Sequence, residues 1–221
     1  MSYMTRGWAI RQCLAHFGLM DEHVELIAGP EGRTRLLHFW QEQPGTYYEH
    51  PLPLLRQEWY HAANAGYVHG GFWAALPPGG LVLDYGCGTA EVARLPWIAR
   101  GGAIILVEAS VACLDYLKAK YAGYPSVQIR SGVGAWERLG PFDGLICTDV
   151  MEHVPHPLDV QQKLWSLLKP GGQALLKFES AYPHPGHLQE SIAELPAWWE
   201  WVKKATQVIE VERFVWTRKP R

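Results

Sequence analysis

Five short apolar runs, rich in β-branched residues, constrain the fold of this chain more than any other feature. "GLVLDYG", "AIILVEAS", "SVQIRSG", "DGLICTDV" and "QALLKFES" follow one another from about residue 79, and most stretches between them are long enough to hold a helix. That rhythm belongs to parallel βαβ units. Apolar strands without polar alternation are buried on both faces, so helices must cover both sides of the sheet. The expected class is α/β: a doubly wound, Rossmann-like, mostly parallel sheet over residues 79–221, with a helical N-terminal cap over residues 1–78.

The helix boundaries can be read as well. "PHPLDVQQKLWSLLKPGG" predicts a helix with Pro157 near its first turn, Asp159 where the helix dipole favours negative charge, and a stop at Pro170, Gly171 and Gly172. In the N-terminal part, "RGWAIRQCLAHFGL" and "LPLLRQEWYHAANAGYVHGGFWAAL" have helical spacing on either side of a break at "EQPGTYYEHPLP", and the second forms a lead-in helix ending before Pro77 and Pro78. Near the other end, "SIAELPAWWEWVKKA" predicts one helix, and "TQVIEVERFVWTRKP" one long strand or a pair.

Composition narrows the partners. Twenty Lys and Arg against 22 Asp and Glu leave a formal charge of −2 with no block of like charges. That balance disfavours a nucleic acid or an anionic membrane and favours a small molecule. Cys13, Cys87, Cys113 and Cys147 form no CxxC pair, which fits a reducing cytoplasm better than a disulfide or zinc scaffold. No run approaches the roughly 20 apolar residues of a membrane span, and "MSYMTRGWAI" lacks the pattern of a signal peptide. No pattern fixes an oligomeric state.

The most informative segment for chemistry is "LVLDYGCGTAEVA". In an open parallel sheet, ligands bind beyond the carboxyl ends of the strands, and the turn after the first strand lies there. Gly86 and Gly88 permit backbone conformations closed to other residues and let a ligand approach the main chain; a tight structural turn is the alternative reading. Glu108 ends the second strand 20 residues beyond Gly88. A carboxylate at that spacing can accept hydrogen bonds from both hydroxyls of a ribose. A dinucleotide fits poorly, because Glu91 stands where its fingerprint requires a third glycine and would oppose a pyrophosphate. Asp84 adds negative charge, which suits a ligand carrying an ammonium or a sulfonium.

Taken in order, "LVLDYGCGTAEVA", "ILVEAS", "FDGLICTDVMEHVPHP" and "LWSLLKPGGQALLKF" resemble the class I S-adenosylmethionine-dependent methyltransferases. "DVMEHVPHP" followed by "LKPGG" is similar to the subgroup that includes ubiquinone-biosynthesis methyltransferases. The resemblance covers roughly residues 79–179. It implies a seven-stranded sheet, S-adenosylmethionine as cofactor, and a small-molecule acceptor held between the cap and the carboxyl ends of the strands. It further implies that Asp84, Gly86 and Gly88 flank the methionine part, that Glu108 holds the ribose, that Ala109 lies beside the adenine, and that Asp149 sits near the amino-acid moiety. Three features depart from the family, which often has another glycine where this chain has Ala90. "SGVGAWERL" offers no acid before Glu137, leaving the adenine to backbone groups near Val133 and to the Trp136 ring. With only about 16 residues after Ala205, the sequence leaves open whether the last two family strands are both present. A non-catalytic S-adenosylmethionine-binding protein and a methyltransferase acting on RNA or protein remain as alternatives.

Methyl transfer from a sulfonium needs mainly proximity and alignment. His153, just past the fourth strand, is the candidate catalytic base, since an unperturbed imidazole titrates near ~6.5; shaping the cofactor pocket is its other role. No metal is assigned, although Asp149, Glu152, His153, His184 and His187 offer oxygen and imidazole ligands from two neighbouring loops. Tyr47, Tyr48, Trp59, Tyr60 and Trp73 are candidate walls for a planar or apolar acceptor. Trp198, Trp199 and Trp201, at helical spacing with Leu195 and Val202, read as core or as a subunit contact.

Overall fold

A computed structural model describes residues 6–28, 31–32, 34–36, 38, 48–64, 70–90, 95–132, 138–178, 186–211 and 215–221. The N-terminal part holds α1 (Arg6–Phe17), α2 (Asp21–Ile27), α3 (Pro51–Asn64) and α4 (Gly70–Ala75). Alternation follows with β1 (Leu81–Tyr85), α5 (Leu95–Ala99), β2 (Ala103–Glu108), α6 (Val111–Lys120), β3 (Val127–Ser131) and β4 (Phe142–Thr148). After a 3₁₀ turn at Met151–His153 come α7 (Pro157–Ser166), β5 (Leu168–Lys177), α8 (Gln189–Ala193), α9 (Leu195–Ala205), β6 (Gln207–Val211) and β7 (Val215–Arg218).

The strands form one seven-stranded sheet in the order β3-β2-β1-β4-β5-β7-β6. β1 to β5 pair in parallel, and β7 runs antiparallel to both β5 and β6. The order reverses at β1 and β4, so the crevice for a ligand opens beyond their carboxyl ends. Strand side chains alternate between two cores, as a period of two requires, except at Phe142, where the register of β4 shifts. Leu83, Ile105, Val107, Leu145, Cys147, Ala174, Leu176 and Val215 face one core, while Val82, Ile104, Leu106, Ile146 and Leu175 face the other. The first core is closed by α7 and α9 through Leu164, Trp165, Trp198 and Val202. The second is closed by Phe72 and Trp73 of α4, Trp97 of α5 and Leu117 of α6. The doubly wound expectation holds.

Two expectations require correction, and one open point is decided. The chain end supplies both final strands, because the short β6 and β7 pair with each other and β7 completes its bonding against β5. Pro170, Gly171 and Gly172 do not stop a helix: α7 already ends at Ser166, and these residues form an irregular start to β5, where pairing jumps from Leu168 opposite Phe142 to Gln173 opposite Gly144. Gly171 has φ +78°, a conformation that lets the strand absorb the extra residues. The Trp-rich segment makes two helices, broken at Glu194 before Pro196. Trp198 is buried and Trp199 and Trp201 pack against the first core, so these rings are core residues.

A third core joins the N-terminal helices to α6. Cys13 and Leu14 of α1, Ile27 of α2 and Leu55 of α3 pack around Tyr116. Beneath it lies a charge pair closed off from water: Glu58 of α3 and Lys120 of α6, both with side chains almost wholly buried. Glu58 Oε1 accepts from the ammonium and, at 2.9 Å, from the Tyr116 hydroxyl. Lys120 also donates to the carbonyls of Thr89 and Ala90, each at 2.8 Å. Burial pushes the Glu58 carboxyl upward, opposed by the neighbouring ammonium and the Tyr116 and Thr89 hydroxyls. Replacing Lys120 by Met leaves the carboxylate buried without its counter-charge, and the expected loss in urea unfolding is about 3–5 kcal/mol. A Lys120→Met variant as stable as the wild type would show that the pair does not hold α3 in place.

Candidate functional site

The carboxyl ends of β2, β1 and β4 bring the candidate residues to one edge of the sheet. After Tyr85 the chain turns through Gly86, φ +67°, and Gly88, φ +53°, with the Gly86 and Cys87 amides both donating to the Val107 carbonyl. These backbone angles favour glycine at both positions. The space over them is filled by the protein itself. A Cβ on Gly86 would meet Val150 at 2.4 Å, and one on Gly88 would meet the Gln57 amide at 2.5 Å. The Thr89 amide donates to Gln57 Oε1 at 3.0 Å, so α3 touches the turn directly.

Glu108 stands at the tip of β2 and ties this turn to the next helix. Its Oε2 accepts from the Gly88 amide at 2.7 Å, and its Oε1 accepts from the amides of Ala109 at 2.7 Å and Ser110 at 3.0 Å. An ionised carboxylate offers about four lone-pair sites, so capacity for hydroxyl donors remains. Ala109 is exposed beside this carboxylate, next to Gly132, whose amide donates to the Glu108 carbonyl at 2.7 Å. Asp84 is buried at the end of β1. Val133, Trp136 and Glu137 lie outside the described residues, as do Tyr47 and His184.

On the β4 side, Asp149 has φ +56° and pairs with Lys177 at the end of β5. His153 follows in the 3₁₀ turn, where its Nδ1 donates to the Gly186 carbonyl at 2.8 Å. That bond fixes the tautomer and turns Nε2 into the acceptor end of the ring. Residues 188–191 are stitched to this turn: the Leu188 amide donates to the Glu152 carbonyl at 2.9 Å, and the Ser191 hydroxyl to the Val154 carbonyl at 2.6 Å. His187 thereby reaches His153, with ring centroids 5.0 Å apart. Glu152, His153 and His187 have potential ligand atoms within 4.8 Å of one another, a donor set suited to a divalent cation. Asp149 is engaged with Lys177 and is not part of this group.

Of the aromatic candidates in the cap, Tyr48 alone among those described approaches the site, its ring edge-on to His153 at 6.1 Å. Its carbonyl accepts from the Ser110 hydroxyl at 2.8 Å, and the next residue, Glu49, accepts the amides of Val111 and Ala112 at the start of α6. Trp59 packs in the third core under Arg56, and Trp73 stacks on Trp97 in the second. Both serve packing. Sequence reading missed Gln57, Glu58, Lys120 and Lys177, because their partners lie 28 to 62 residues away and no local spacing marks them.

Residues 45–213 match a family model described as a methyltransferase domain. A ubiquinone biosynthesis O-methyltransferase from Xanthomonas campestris is 36% identical over 104 residues, covering 45% of this chain and 43% of the relative. The chain thus matches less than half the length of that relative. A protein-L-isoaspartate O-methyltransferase from Polaromonas is 26% identical over 171 residues, 74% of this chain and 75% of that protein. Among solved structures, a TehB-like SAM-dependent methyltransferase from Corynebacterium glutamicum superposes with a TM-score of 0.50 at 16% identity, covering 75% of this chain and 95% of the other. An rRNA methylase from Streptococcus thermophilus gives 0.50 at 14% identity, with 69% and 94% coverage. These two likenesses concern the fold.

Burial lowers the His153 imidazole below its ordinary value of 6.5, partly offset by the bond to Gly186 and the charge of Asp149. The unfolded chain therefore binds this proton more readily. The native state keeps the full benefit above the unfolded value and loses stability as pH falls from there towards the folded one. Urea midpoints measured between pH 7.5 and 5.5 should show a shallower fall for His153→Gln than for the wild type. Equal slopes would mean that the ring is solvated in the native state.

Proposed function

The chain belongs to the class I S-adenosylmethionine-dependent methyltransferase family, and from that premise we propose that it transfers a methyl group from S-adenosylmethionine to a small molecule. In this reading the acceptor is held between a helical cap, residues 1–78, and the strand ends of a donor-binding domain, residues 79–221. The observation that carries it is the Glu108 carboxylate, bonded to Gly88 across the two strand ends where an adenosine-type ligand would lie. Asp84, Gly86 and Gly88 flank the methionine part, Glu108 accepts the ribose hydroxyls, Ala109 and the backbone at Val133 border the adenine, and Asp149 lies towards the ammonium.

The chemistry asks little of the protein beyond alignment. The acceptor's nucleophilic atom attacks the methyl carbon in line with the sulfonium, the carbon–sulfur bond breaks, and the electron pair stays on sulfur as a thioether. A proton on the acceptor must leave if its nucleophile is a hydroxyl or an amine. His153 suits that task, since the Gly186 bond leaves Nε2 as its basic atom and burial keeps the ring neutral. The cluster with Glu152 and His187 supports a second reading, in which these residues hold a divalent cation that would orient an acceptor oxygen.

A small acceptor is favoured by the near-neutral charge and by the Tyr48 ring beside His153. The two named relatives act on different classes, a quinone precursor pathway in one name and a protein residue in the other. Incubation with methyl-labelled donor and fractionated extract separates the cases: label in the small-molecule fraction supports the proposal, and label in protein or RNA overturns it.

Glu108→Ala is expected to lose about 1.5 to 3 kcal/mol of affinity for S-adenosylhomocysteine in calorimetry, the range for a hydrogen bond to a charged group. Unchanged affinity in a folded variant removes the ribose assignment, and tight NADH binding in place of adenosylhomocysteine overturns the donor.

For His153→Ala, a base role predicts a single-turnover rate lower by ~10²–10⁴ at nearly unchanged donor affinity. A pocket-shaping role predicts weaker donor binding instead. A ligand role predicts that a chelator reproduces the variant's defect in the wild type, and that added Mg²⁺ or Zn²⁺ reverses it there.

A further inference from the structure

Two consecutive residues of α3 hold one residue of the glycine turn from both sides. Gln57 Oε1 accepts the Thr89 amide, while Glu58, through Lys120, engages the Thr89 carbonyl. The same ammonium and the Tyr121 hydroxyl, at 3.2 Å, hold the Ala90 carbonyl, fixing a residue with φ +51°. The cap helix is therefore built into the turn. Its contribution has a chemical direction too. The Thr89 amide can meet only the oxygen of the Gln57 amide, so the nitrogen is the end left to donate, and both atoms stand within 2.6 Å of where a Gly88 Cβ would be.

We propose that Gln57 is a donor-binding residue that recognises the α-carboxylate of the methionine moiety through Nε2. This rests on the reading of the site as an S-adenosylmethionine site. The methionine end is a zwitterion and needs partners of both kinds. Asp84 and Asp149 supply negative charge at the ends of β1 and β4, which suits the ammonium. The carboxylate needs N–H donors. Among the described residues, the cations beside the turn are committed: Lys120 to Glu58, Thr89 and Ala90, Lys177 to Asp149, and Arg56 to the Ile27 carbonyl at 2.8 Å. Gln57 is the partly exposed donor over Gly88, and a neutral amide there accepts a carboxylate without placing a second positive charge beside the sulfonium.

The test compares two ligands that differ only at the amino-acid end. S-adenosylhomocysteine carries it, and 5′-methylthioadenosine keeps the nucleoside and the thioether without it. Calorimetry would be run on wild type, Gln57→Met and Gln57→Glu, with urea midpoints as the control on folding. Gln57→Met preserves the length of the side chain and removes the amide; its affinity for adenosylhomocysteine should fall about 10- to 100-fold, with methylthioadenosine changed less than about twofold. Gln57→Glu keeps an acceptor for the Thr89 amide but sets a carboxylate against a carboxylate, and should lose at least as much. If Gln57 serves only to hold Thr89, Gln57→Glu will bind adenosylhomocysteine like the wild type, and the proposal falls. Equal losses for the two ligands also overturn it. Wild-type protein that binds neither ligand removes the donor reading and this proposal with it, whereas tight wild-type binding with insensitive variants removes this proposal alone.

Discussion

The buried ammonium of Lys120 is the constraint on which the rest of the site depends. Removing such a charge from water costs several kcal/mol unless its partners replace the lost hydration. An ammonium has three donors, and here each has an acceptor: the Glu58 carboxylate, the Thr89 carbonyl and the Ala90 carbonyl. Any movement of the glycine turn, of α3 or of α6 would leave at least one of these polar groups short of a partner in a dry environment. Three segments distant in sequence are locked together by a requirement that none could satisfy alone.

That lock changes the meaning of the glycines. Read as sequence, Gly86 and Gly88 make room for a ligand. In the folded chain they also make room for Val150, from the turn after β4, and for Gln57, from the cap. The turn is thus a junction where the end of β1, α3 and the turn carrying His153 meet within a few ångströms. A side chain added at Gly86 would act on the β4 turn, because the positive φ and the contact with Val150 oppose it together.

The surroundings of His153 are assembled by a different device. Residues 48–50 and 186–191 are pinned to the carboxyl edge of the sheet by side-chain and main-chain hydrogen bonds. Residues 48–50 are anchored at the start of α6, where Glu49 takes two amides at the helix's positive end. Residues 186–191 are anchored on the β4 turn through Leu188 and Ser191. Tyr48, His153 and His187 are brought together by these anchors, so the site's aromatic and imidazole wall depends on loop docking and not on the sheet alone.

Strand runs, helix-length spacers and the acid at the end of "AIILVE" were enough to specify a doubly wound sheet with Glu108 and the Gly86–Gly88 turn at one edge. Those features are local, since period, turn chemistry and spacing are properties of a few consecutive residues. The limits of local reading appear where a distant partner decides. Pro170–Gly172 look like a helix stop, yet pairing with β4 draws them into β5; the short C-terminal run becomes two strands because β5 offers an edge. "EWY" and "LKAK" give no sign that Glu58 and Lys120 will meet across 62 residues, nor that Gln57 will stand over Gly88. The sequence by itself determined the alternation of strands and helices and put Glu108 and the glycine turn at one edge of the sheet. Tertiary structure decided which side chains converge there, because a buried charge and a side-chain amide choose their partners from whatever packing brings within reach.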